Sequence, residues 1–312
     1  MSSDLRTLFD QFIQECKYTH RLRPETLRGY EAVFSTFLKL CPEASLQTLN
    51  PAIIAQFYKT LQTRERIVGR NTPKKGVKDS TIDTYSSKLH SFFKWLVTEK
   101  HLKENPLTGV KRMRPAYDDS KILRKEEVEK LQAAIERNYR NHLQVKRDRA
   151  MLLTALLTGL RKNELLGLHL QDVDIERRQL TVRGETSKSK RTRKIKIVRE
   201  LLMPLDDYLT ERRSHNYTTP ALFISLMRDR GLSNDGIKHW VANLERKSGV
   251  KFHLHRLRHT FACNAYAACK DPLAIQSLLG HSDLKMTMKY LRSLGAEDFG
   301  AAIDGMSVAS FI

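Results

Sequence analysis

The chain has 312 residues, which is long enough for two compact domains that each bury a hydrophobic core. Its 55 Lys and Arg residues against 35 Asp and Glu residues give a formal charge of +20, which favours a nucleic acid partner over a basic surface without a ligand. No apolar run is long enough to span a membrane and no signal peptide is evident, so a soluble cytoplasmic protein is expected. The four cysteines lack zinc-ligand spacing and are expected to be reduced thiols in the core.

The first hundred residues are predicted to be helical. Two apolar stripes recur at helical spacing, one from residue 27 to 37 after Pro24 and one from residue 82 to 96. Ser80 is expected to be the N-cap of the second stripe. A shorter helix is predicted from about residue 51 to 61.

The segment from residue 63 to 79 carries six basic residues against Glu65 and Asp79. Its glycines and proline predict a loop. Such a loop is either a solvated connector or an element that follows DNA phosphates. On the second interpretation the DNA-binding residues are Arg64, Arg66, Arg70, Lys74, Lys75 and Lys78.

Residues 104–121 lack any periodicity, contain two prolines and are predicted to be an interdomain linker. A helix follows with an apolar face over residues 128–135, and then a buried helix over residues 150–160. Residues 173–198 show the only convincing strand pattern, which predicts a small antiparallel sheet. The rest of the chain is predicted to be helical, except that residues 221–226 are a short apolar stretch without an assignment.

Four motifs in the second half carry chemistry. The first is TGLRKNELLGL, in which Gly159 can end the buried helix. Arg161 and Glu164 then lie on one face of the next helix. Alone, this pair is equally explained by a surface ion pair.

The second motif is the turn between the predicted strands, with seven basic residues against one acidic residue between positions 183 and 196. A hairpin tip that carries Lys188 and Lys190 can place an ammonium group beside a phosphate. Most of these side chains are expected to make nonspecific phosphate contacts, and those assigned to DNA binding are Lys190, Arg191 and Arg193.

The third motif is HLHRLRHTF, where His255, Arg258 and His259 have i, i+3, i+4 spacing. A helix would point all three side chains the same way, which is costly unless an anion lies between them. A functional role is therefore favoured over a structural one.

The fourth motif is LLGHSDLKMTMKYLR. Residues 271–272 mark the start of a helix, Gly280 marks its end, and Ser282 can cap the next helix. His281 would lie in the turn, and Tyr290 would project from the following helix. By itself Tyr290 is more typical of a half-buried aromatic than of a functional residue.

These motifs supply arginines, lysine, histidines and a tyrosine, without a cluster of metal-ligand spacing. That inventory suits attack on a phosphodiester without a metal or cofactor. Arginines can neutralise the charge that grows on the phosphate. A tyrosine can hold the DNA end as an ester, and lysine and histidine can move protons.

Together the four motifs resemble the active-site motifs of the tyrosine recombinases, the family of phage integrases and Xer recombinases. They read TGLRKNEL, SKSKRTRKIKI, HRLRH and LLGHSDLKMTMKY, in the family's order and with its nine-residue step from His281 to Tyr290. The resemblance covers almost the whole chain.

The resemblance implies a role for each matching residue. Arg161 and Arg258 would clamp the scissile phosphate, and Tyr290 would be the nucleophile. His255 and His281 would hydrogen-bond the phosphate, and His255 would also handle the proton of the nucleophile.

Lys188 would be the general acid for the leaving 5′-oxygen. Lys190 is the alternative, because this turn lacks the family's usual glycine and Lys190 is only two residues away. Lys196 replaces the family's usual proline after the second strand, which should affect the shape of the loop rather than the chemistry. Glu164 would orient and support the site, and His259 would assist.

The resemblance implies a mainly α fold, the DNA breaking-rejoining enzyme fold. Residues 1–103 would form an all-helical, SAM-like core-binding domain, and residues 104–121 the linker. Residues 122–294 would form a mainly helical catalytic domain with a small antiparallel β-sheet. The tail, residues 295–312, would be either exchanged between protomers or a frayed terminus.

Family members act on double-stranded DNA as homo-tetramers that hold two sites. Two other functions remain open on the residues alone. A type IB topoisomerase uses closely similar groups, although HRLRH and the LGH motif argue against it. A DNA-binding protein without catalysis fits the charge but has no need of the tyrosine.

Overall fold

The structure is a computed structural model, and it describes residues 4–69, 71–110, 122–137, 141–187 and 190–291. The chain divides into two compact units, residues 1–116 and 117–312. Each unit has a hydrophobic core of its own. Within the described ranges, no helix is both long and apolar enough to cross a membrane.

The N-terminal unit is built on helices whose apolar faces meet in an aromatic core. These helices are α1 (Leu5–Tyr18), α2 (Pro24–Leu40), α3 (Pro51–Thr63) and α4 (Asp79–Thr98). Phe9 stacks on Phe34 with ring centroids 3.8 Å apart, and Phe92 meets Phe9 edge-on at 5.1 Å. The predicted helices are confirmed. The predicted cap at Ser80 is wrong, because α4 begins at Asp79 and Ser80 lies inside its first turn.

The predicted loop between α3 and α4 is also wrong, because it contains a β-hairpin. Strands β1 (Glu65–Val68) and β2 (Thr72–Lys75) pair in antiparallel register. The turn between them uses Gly69 at φ 58° and Asn71 at φ 56°, residue types that accept the left-handed region. The charged side chains on these strands hid the short alternating pattern.

Part of the predicted linker belongs to the N-terminal core. Leu107 is 5% exposed and packs in that core. The side chain of Asn105 donates to the carbonyl oxygen of His90 at 3.3 Å. Residues 111–121, the remainder of the predicted linker, lie outside the described residues.

The described part of the second unit is mainly helical. Its helices are α5 (Lys125–Glu136), α6 (His142–Thr158), α7 (Lys162–Leu166), α8 (Arg199–Ser214), α9 (Asn234–Ser248), α10 (Leu254–Cys269), α11 (Pro272–Leu279) and α12 (Leu284–Leu291). The buried helix predicted from residue 150 is confirmed as α6, which starts two turns earlier. The first two turns of α6 contain the charged residues Arg147 and Asp148. These residues can be buried in the core because they form an ion pair with each other at 2.6 Å.

The predicted small sheet is confirmed. It consists of β3 (Val173–Asp174), β4 (Gln179–Val182) and β5 (Arg193–Lys196), antiparallel in that order. The unassigned stretch 221–226 forms isolated bridges, with Ala221 opposite His169 and Ile224 opposite Gly231. Its side chains Leu222 and Phe223 are buried in the core of this unit.

Two glycines end helices at the places where motifs begin. Gly159 follows α6 at φ 61°, as predicted, and a Cβ there would lie 2.3 Å from Cδ1 of Phe261. Gly280 follows α11 at φ 61°, also as predicted. Both turns therefore need glycine, and both direct the chain into the same region of the unit.

The starts of α11 and α12 are capped by aspartates. Asp271 accepts a hydrogen bond from the N–H of Leu273, as predicted. The predicted cap at Ser282 is wrong, because Asp283 accepts from the N–H of Lys285 at 2.9 Å.

The four cysteines are free thiols. Cys16, Cys41 and Cys263 are buried, as predicted, whereas Cys269 is exposed at the end of α10. Burial raises the pKa of Cys16 and of Cys41, which keeps both thiols protonated.

Candidate active site

The motif residues of the second unit meet beside the C-terminal end of α11. Arg161 immediately precedes α7, and His255 and Arg258 lie on α10. His281 lies in the turn between α11 and α12, and Tyr290 lies on α12. The structure therefore brings together five of the six predicted catalytic residues. The sixth, Lys188, lies outside the described residues.

Arg258 is the most deeply buried charge of the site, with 1% of its surface exposed. Its Nη1 donates to the carbonyl oxygen of Gly159 at 2.6 Å, and its Nη2 donates to that of Leu279 at 2.9 Å. Its Nε is buried without a hydrogen-bond partner among the described residues. Burial, followed by the charge of Arg161, lowers the pKa of Arg258 to about 10, so the guanidinium stays charged at neutral pH.

Arg161 approaches the same helix end from the other side. Its Nη1 and Nη2 donate to the carbonyl oxygens of Leu279 and Gly280, each at 3.3 Å. The C-terminal carbonyls of a helix carry partial negative charge, so two guanidiniums stabilise them. Both predicted clamp arginines are thereby held in place by the protein itself.

Glu164 is fully buried between the arginines and binds several of them at once. Its carboxylate accepts from the backbone N–H of Arg161 at 2.9 Å, from Nη1 of Arg161 at 3.0 Å and from Nη2 of Arg193 at 2.8 Å. Burial alone would raise the pKa of Glu164, but the hydrogen bonds and charges of Arg193 and Arg161 outweigh it and hold the pKa at about 2. Glu164 is therefore ionised and orients the arginines, consistent with the predicted supporting role.

Arg193 faces this carboxylate rather than the solvent. Its side chain is 11% exposed, and its Nε donates to the carbonyl oxygen of Leu278 at 2.9 Å. The sequence predicts that Arg193 binds DNA, whereas in the structure its whole guanidinium is engaged with Glu164 and α11. The alternation of β5 explains this, since Arg193 shares a face of the strand with the buried Ile195.

His281 is buried and neutral. Nη2 of Arg258 donates to its Nε2 at 2.8 Å, so Nε2 is the acceptor, and the proton on Nδ1 is directed to Oγ1 of Thr287 at 2.8 Å. Burial and the charges of Arg258 and Arg161 lower the pKa of His281 to about 3. Thr287, on α12, thus links the turn at His281 to the helix that carries the tyrosine.

Tyr290 lies against three imidazole rings. Its hydroxyl is 3.4 Å from Nε2 of His255, and its ring stacks on His281 with an interplanar angle of 6°. The ring of His259, a buried residue, has its centroid 5.1 Å from that of Tyr290. The backbone oxygen of Tyr290 accepts from Sγ of Cys263 at 3.5 Å, which fixes α12 to α10.

Those of the other predicted DNA-binding residues that the structure describes lie on or beside the β1–β2 hairpin and between β4 and β5. Residues Lys74, Lys75, Lys78, Lys190 and Arg191 are exposed, and Arg64 and Arg66 are half-buried. Arg70 lies outside the described residues. Their contact with DNA stays a prediction.

The sequence did not indicate that Thr287 and Ser187 belong to the site. It also did not indicate the structural role of Arg193. Ser187 is 1% exposed, and its hydroxyl donates to Glu164 at 3.0 Å. It immediately precedes Lys188, so Glu164 also anchors the segment that leads to the predicted general acid. The spacing offered one signal, because Thr287 stands three residues before Tyr290 and so on a similar face of a helix.

Replacing Glu164 with glutamine is expected to lower the free energy of unfolding by about 3 kcal/mol at pH 7. The neutral side chain would leave Arg161, Arg193 and Arg258 crowded without their counter-charge. Because the pKa of Glu164 is held low, its contribution is present above the ordinary carboxyl pKa and is lost as the pH falls towards about 2. Urea unfolding at several pH values measures the difference between the two proteins, which should shrink between pH 5 and pH 2. A difference that stays constant over that range contradicts the assignment.

The site combines the buried guanidinium of Arg258, the half-buried guanidinium of Arg161, an ionised carboxylate that orients them and a tyrosine beside a histidine. These are groups for phosphoryl transfer. No group of three or more His, Cys, Asp or Glu side chains in the described parts of the chain has the arrangement of a metal site. The arrangement of the site is typical of an enzyme that transfers a phosphoryl group.

Comparison with protein-family models identifies both units. Residues 121–297, more than half of the chain, match the phage integrase family. Residues 9–100 match the N-terminal SAM-like domain of phage integrases.

Relatives and solved structures agree with this match. The tyrosine recombinase XerC of Escherichia coli O157:H7 (strain EC4115 / EHEC) is 29% identical over 290 residues, which cover 92% of each chain. A crystal structure of the XerH site-specific recombinase bound to a palindromic difH substrate is 20% identical, with a TM-score of 0.72 over 94% of this chain and 83% of that one. A lambda integrase dimer bound to a core site is 19% identical, with a TM-score of 0.70 over 94% of this chain and 97% of that one.

The chain belongs to the phage integrase family. It is a tyrosine recombinase, an enzyme of the site-specific DNA recombinase class.

Proposed function

We propose that the chain cuts and rejoins double-stranded DNA at a defined site through a covalent 3′-phosphotyrosine, without a metal ion. The observation that carries the proposal is the position of Tyr290. Its hydroxyl lies 3.4 Å from a histidine nitrogen, and its ring stacks on the histidine that binds Arg258. A tyrosine that served only as a core aromatic would have no need of these partners.

In the proposed first step, Oη of Tyr290 attacks the scissile phosphorus. A bond forms between that oxygen and phosphorus, the bond from phosphorus to the 5′-oxygen breaks, and the DNA keeps its phosphate as a 3′-phosphotyrosyl ester. The phenol proton passes to His255, and the leaving 5′-oxygen takes a proton from Lys188. One phosphate ester replaces another, so attack by a 5′-hydroxyl of a second DNA strand reverses the chemistry and joins the strands.

Arg161 and Arg258 have the proposed role of neutralising charge on the non-bridging oxygens. Support comes from their rigid placement. Arg161 donates to the carbonyl oxygens of Leu279 and Gly280, and Arg258 donates to those of Gly159 and Leu279. Groups that are already oriented need no reorganisation when the charge develops, which is how such donors lower the barrier most.

The histidines are proposed to have different tasks. His255 is exposed, its Nε2 lies 3.4 Å from the phenol oxygen, and it takes the proton. His281 was expected to hydrogen-bond the phosphate, and it can do so only after its Nε2 stops accepting from Arg258. In the arrangement described here it aligns the tyrosine ring, and His259 supports that ring from the other helix.

The general acid is proposed to be Lys188 rather than Lys190. Replacing Lys188 with alanine is expected to slow cleavage by about 10²- to 10⁴-fold, because the 5′-oxygen then leaves without a proton donor. Cleavage rates on a duplex with sulfur in place of the bridging 5′-oxygen test the role. A thiolate leaves without protonation, so that substrate should restore the rate of the Lys188→Ala variant.

Lys190→Ala is the matched control, since it removes the same charge from the same turn. Lys190 is exposed, and its backbone N–H is bound to the carbonyl oxygen of Ser187. The cleavage rate of the Lys190→Ala variant is expected to stay close to that of the unchanged protein, both on the normal duplex and on the duplex with bridging sulfur. Sulfur rescue of Lys190→Ala instead would assign the general acid to that residue.

The proposed partner is double-stranded DNA, bound by a homo-tetramer that holds two sites in the cytoplasm. The XerH and lambda integrase proteins are bound to DNA in their solved structures, which supports a DNA-bound state here. Exchange of the tail, residues 295–312, between protomers belongs to the same proposal, and the tail lies outside the described residues.

The rival function is that of a type IB topoisomerase, and one experiment separates the two. A supercoiled plasmid carries two copies of a site recovered from a randomised DNA library by binding to the protein, and the reaction contains EDTA. Deletion or inversion with junctions at the two sites is expected. Relaxation of plasmids with and without the sites, with no recombinant product, would overturn the proposal in favour of a topoisomerase.

A further inference from the structure

The helix that carries His255 and Arg258 begins after a histidine in the N-cap position. Nδ1 of His253 accepts from the backbone N–H of Arg256 at 3.0 Å, and its carbonyl oxygen accepts from the N–H of Leu257 at 3.2 Å. Because Nδ1 is an acceptor, the neutral ring carries its proton on Nε2. The first N–H groups of a helix have no partner inside the helix, so these two bonds fix the start of α10.

A cap alone does not require an imidazole ring. Serine, threonine, asparagine and aspartate are preferred in the N-cap position, and each offers an acceptor on a short side chain. The ring of His253 also lies against the ring of His255, with the centroids 6.4 Å apart and the planes 15° from parallel. These values describe an offset stack. Side chains two residues apart within a helix do not face each other, so the stack depends on the extended backbone of His253, at φ −150° and ψ 162°.

The orientation of the His255 ring decides where its Nε2 lies. His253 and His255 are both exposed, whereas Arg258 and His259, which follow on the same helix, are buried. Rotation about the side-chain bonds of His255 would move Nε2 away from the phenol oxygen of Tyr290, which is now 3.4 Å from it. A proton is transferred within hydrogen-bond reach, so a rotation that lengthens this distance slows the transfer.

We propose that His253 is a positioning residue for the proton acceptor of Tyr290. Its Nδ1 fixes the start of α10, and the face of its ring holds the imidazole of His255 in the plane that directs Nε2 to the phenol oxygen. His253 acts through His255 and transfers no proton itself. A neutral neighbour also does not oppose the positive charge that His255 gains with the proton. The inference rests on the proposed function, in which His255 takes that proton.

Two substitutions separate the cap from the stack. His253→Ser keeps an acceptor for the N–H of Arg256 but removes the ring, so its thermal unfolding is expected to stay unchanged. At saturating DNA it should form the covalent adduct about tenfold more slowly, since a displacement of about 1 Å already costs up to about 10²-fold. His253→Phe keeps a flat ring but removes the acceptor. It should unfold at a lower temperature and keep a rate within about threefold of the original.

The matched control is the N-cap of another helix in the same unit. The side chain of Asn141 caps α6 and accepts from the N–H of Gln144 at 2.8 Å. Asn141→Ala is expected to lower the unfolding temperature about as much as His253→Phe does, because each change removes one cap. Below that temperature its rate of adduct formation should equal that of the unchanged protein. The control separates a loss of helix stability from a loss of positioning.

Action through His255 is tested by a double-mutant cycle. His253→Ser should slow adduct formation in the unchanged protein but not in the His255→Ala variant, where no imidazole is left to position. The rates are measured on a duplex nicked close to the cleavage site, and affinity for the same duplex, measured separately, should stay within about twofold because the variants keep the same charge.

The ring resonances of isotope-labelled histidine give a readout that does not depend on turnover. Nδ1 of His253 should have the chemical shift of an unprotonated acceptor nitrogen at neutral pH. The resonances of His255 should move in His253→Ser and stay in place in Asn141→Ala, since only the first change removes the stacked ring.

Four results would overturn the inference. They are an unchanged rate in His253→Ser, an equal slowing by this change in the His255→Ala variant, a protonated Nδ1 on His253, and a loss of DNA affinity without a loss of rate at saturation. The last result would make His253 a DNA contact. Failure of the proposed function is distinguishable, because the unchanged protein would then form no adduct at Tyr290.

Discussion

Replacing Tyr290 with phenylalanine is expected to abolish covalent capture of DNA while binding stays within about twofold of the original affinity. The change removes one oxygen from a ring that packs between α10, α11 and α12, so the site keeps its shape. Without that oxygen the proposed phosphotyrosyl ester cannot form. The measurement uses a duplex nicked close to the cleavage site, so that the short fragment carrying the freed 5′-hydroxyl diffuses away after cleavage. The protein–DNA adduct then accumulates and is resolved on a denaturing gel.

The aromatic control is Tyr266→Phe, which removes the hydroxyl from a tyrosine packed in the same small cluster on α10. Its adduct yield is expected to match that of the unchanged protein. An undiminished adduct in Tyr290→Phe would mean that another residue attacks the phosphate, and the proposed mechanism would fall.

Replacing Arg258 with alanine is expected to reduce cleavage by about 10³-fold or more, since the loss of a single oxyanion donor already costs about 10²- to 10³-fold. Arg258 donates to Gly159, Leu279 and His281. Its loss therefore removes a phosphate ligand and also loosens the turn beside the nucleophile. Arg258→Lys keeps the charge, but the lysine ammonium lacks the planar, forked guanidinium that binds three acceptors at once. Most of the activity should therefore still be lost.

Arg256 offers a matched control two residues away on α10. It is also ion-paired, with Nη2 lying 2.9 Å from Glu127, and its side chain is 15% exposed. Arg256→Ala should cost stability through the lost ion pair but leave single-turnover cleavage nearly unchanged in folded protein. Equal losses of cleavage in Arg256→Ala and Arg258→Ala would reduce the role of Arg258 to folding.

The helices and the motif residues were predictable from the sequence because each depended on local patterns. The spacing of apolar residues indicates α2, α3 and α6. Gly159 and Gly280 indicate where two of the helices end. The order of the four motifs then indicated the site, because the resemblance supplied the long-range contacts that no local pattern contains.

The remaining features depended on contacts between distant segments. Arg193 and Glu164 are 29 residues apart, and only the folded β5 strand brings the arginine to the carboxylate. The neutral state of His281 depends on Arg258, which lies on another helix. The sequence predicts a loop at the β1–β2 hairpin, because the two strands carry charged residues and do not cover a hydrophobic core.

The most direct measurement of the central claim is the identity of the residue joined to DNA. The covalent adduct from a nicked duplex is digested with trypsin and nuclease, and the modified peptide is sequenced by mass spectrometry. If Tyr290 is the nucleophile, the modified peptide begins at Tyr290, after Lys289, and carries a nucleotide attached to its phenol oxygen through a 3′-phosphate. A nucleotide on any other residue, or one attached through its 5′ end, would contradict it.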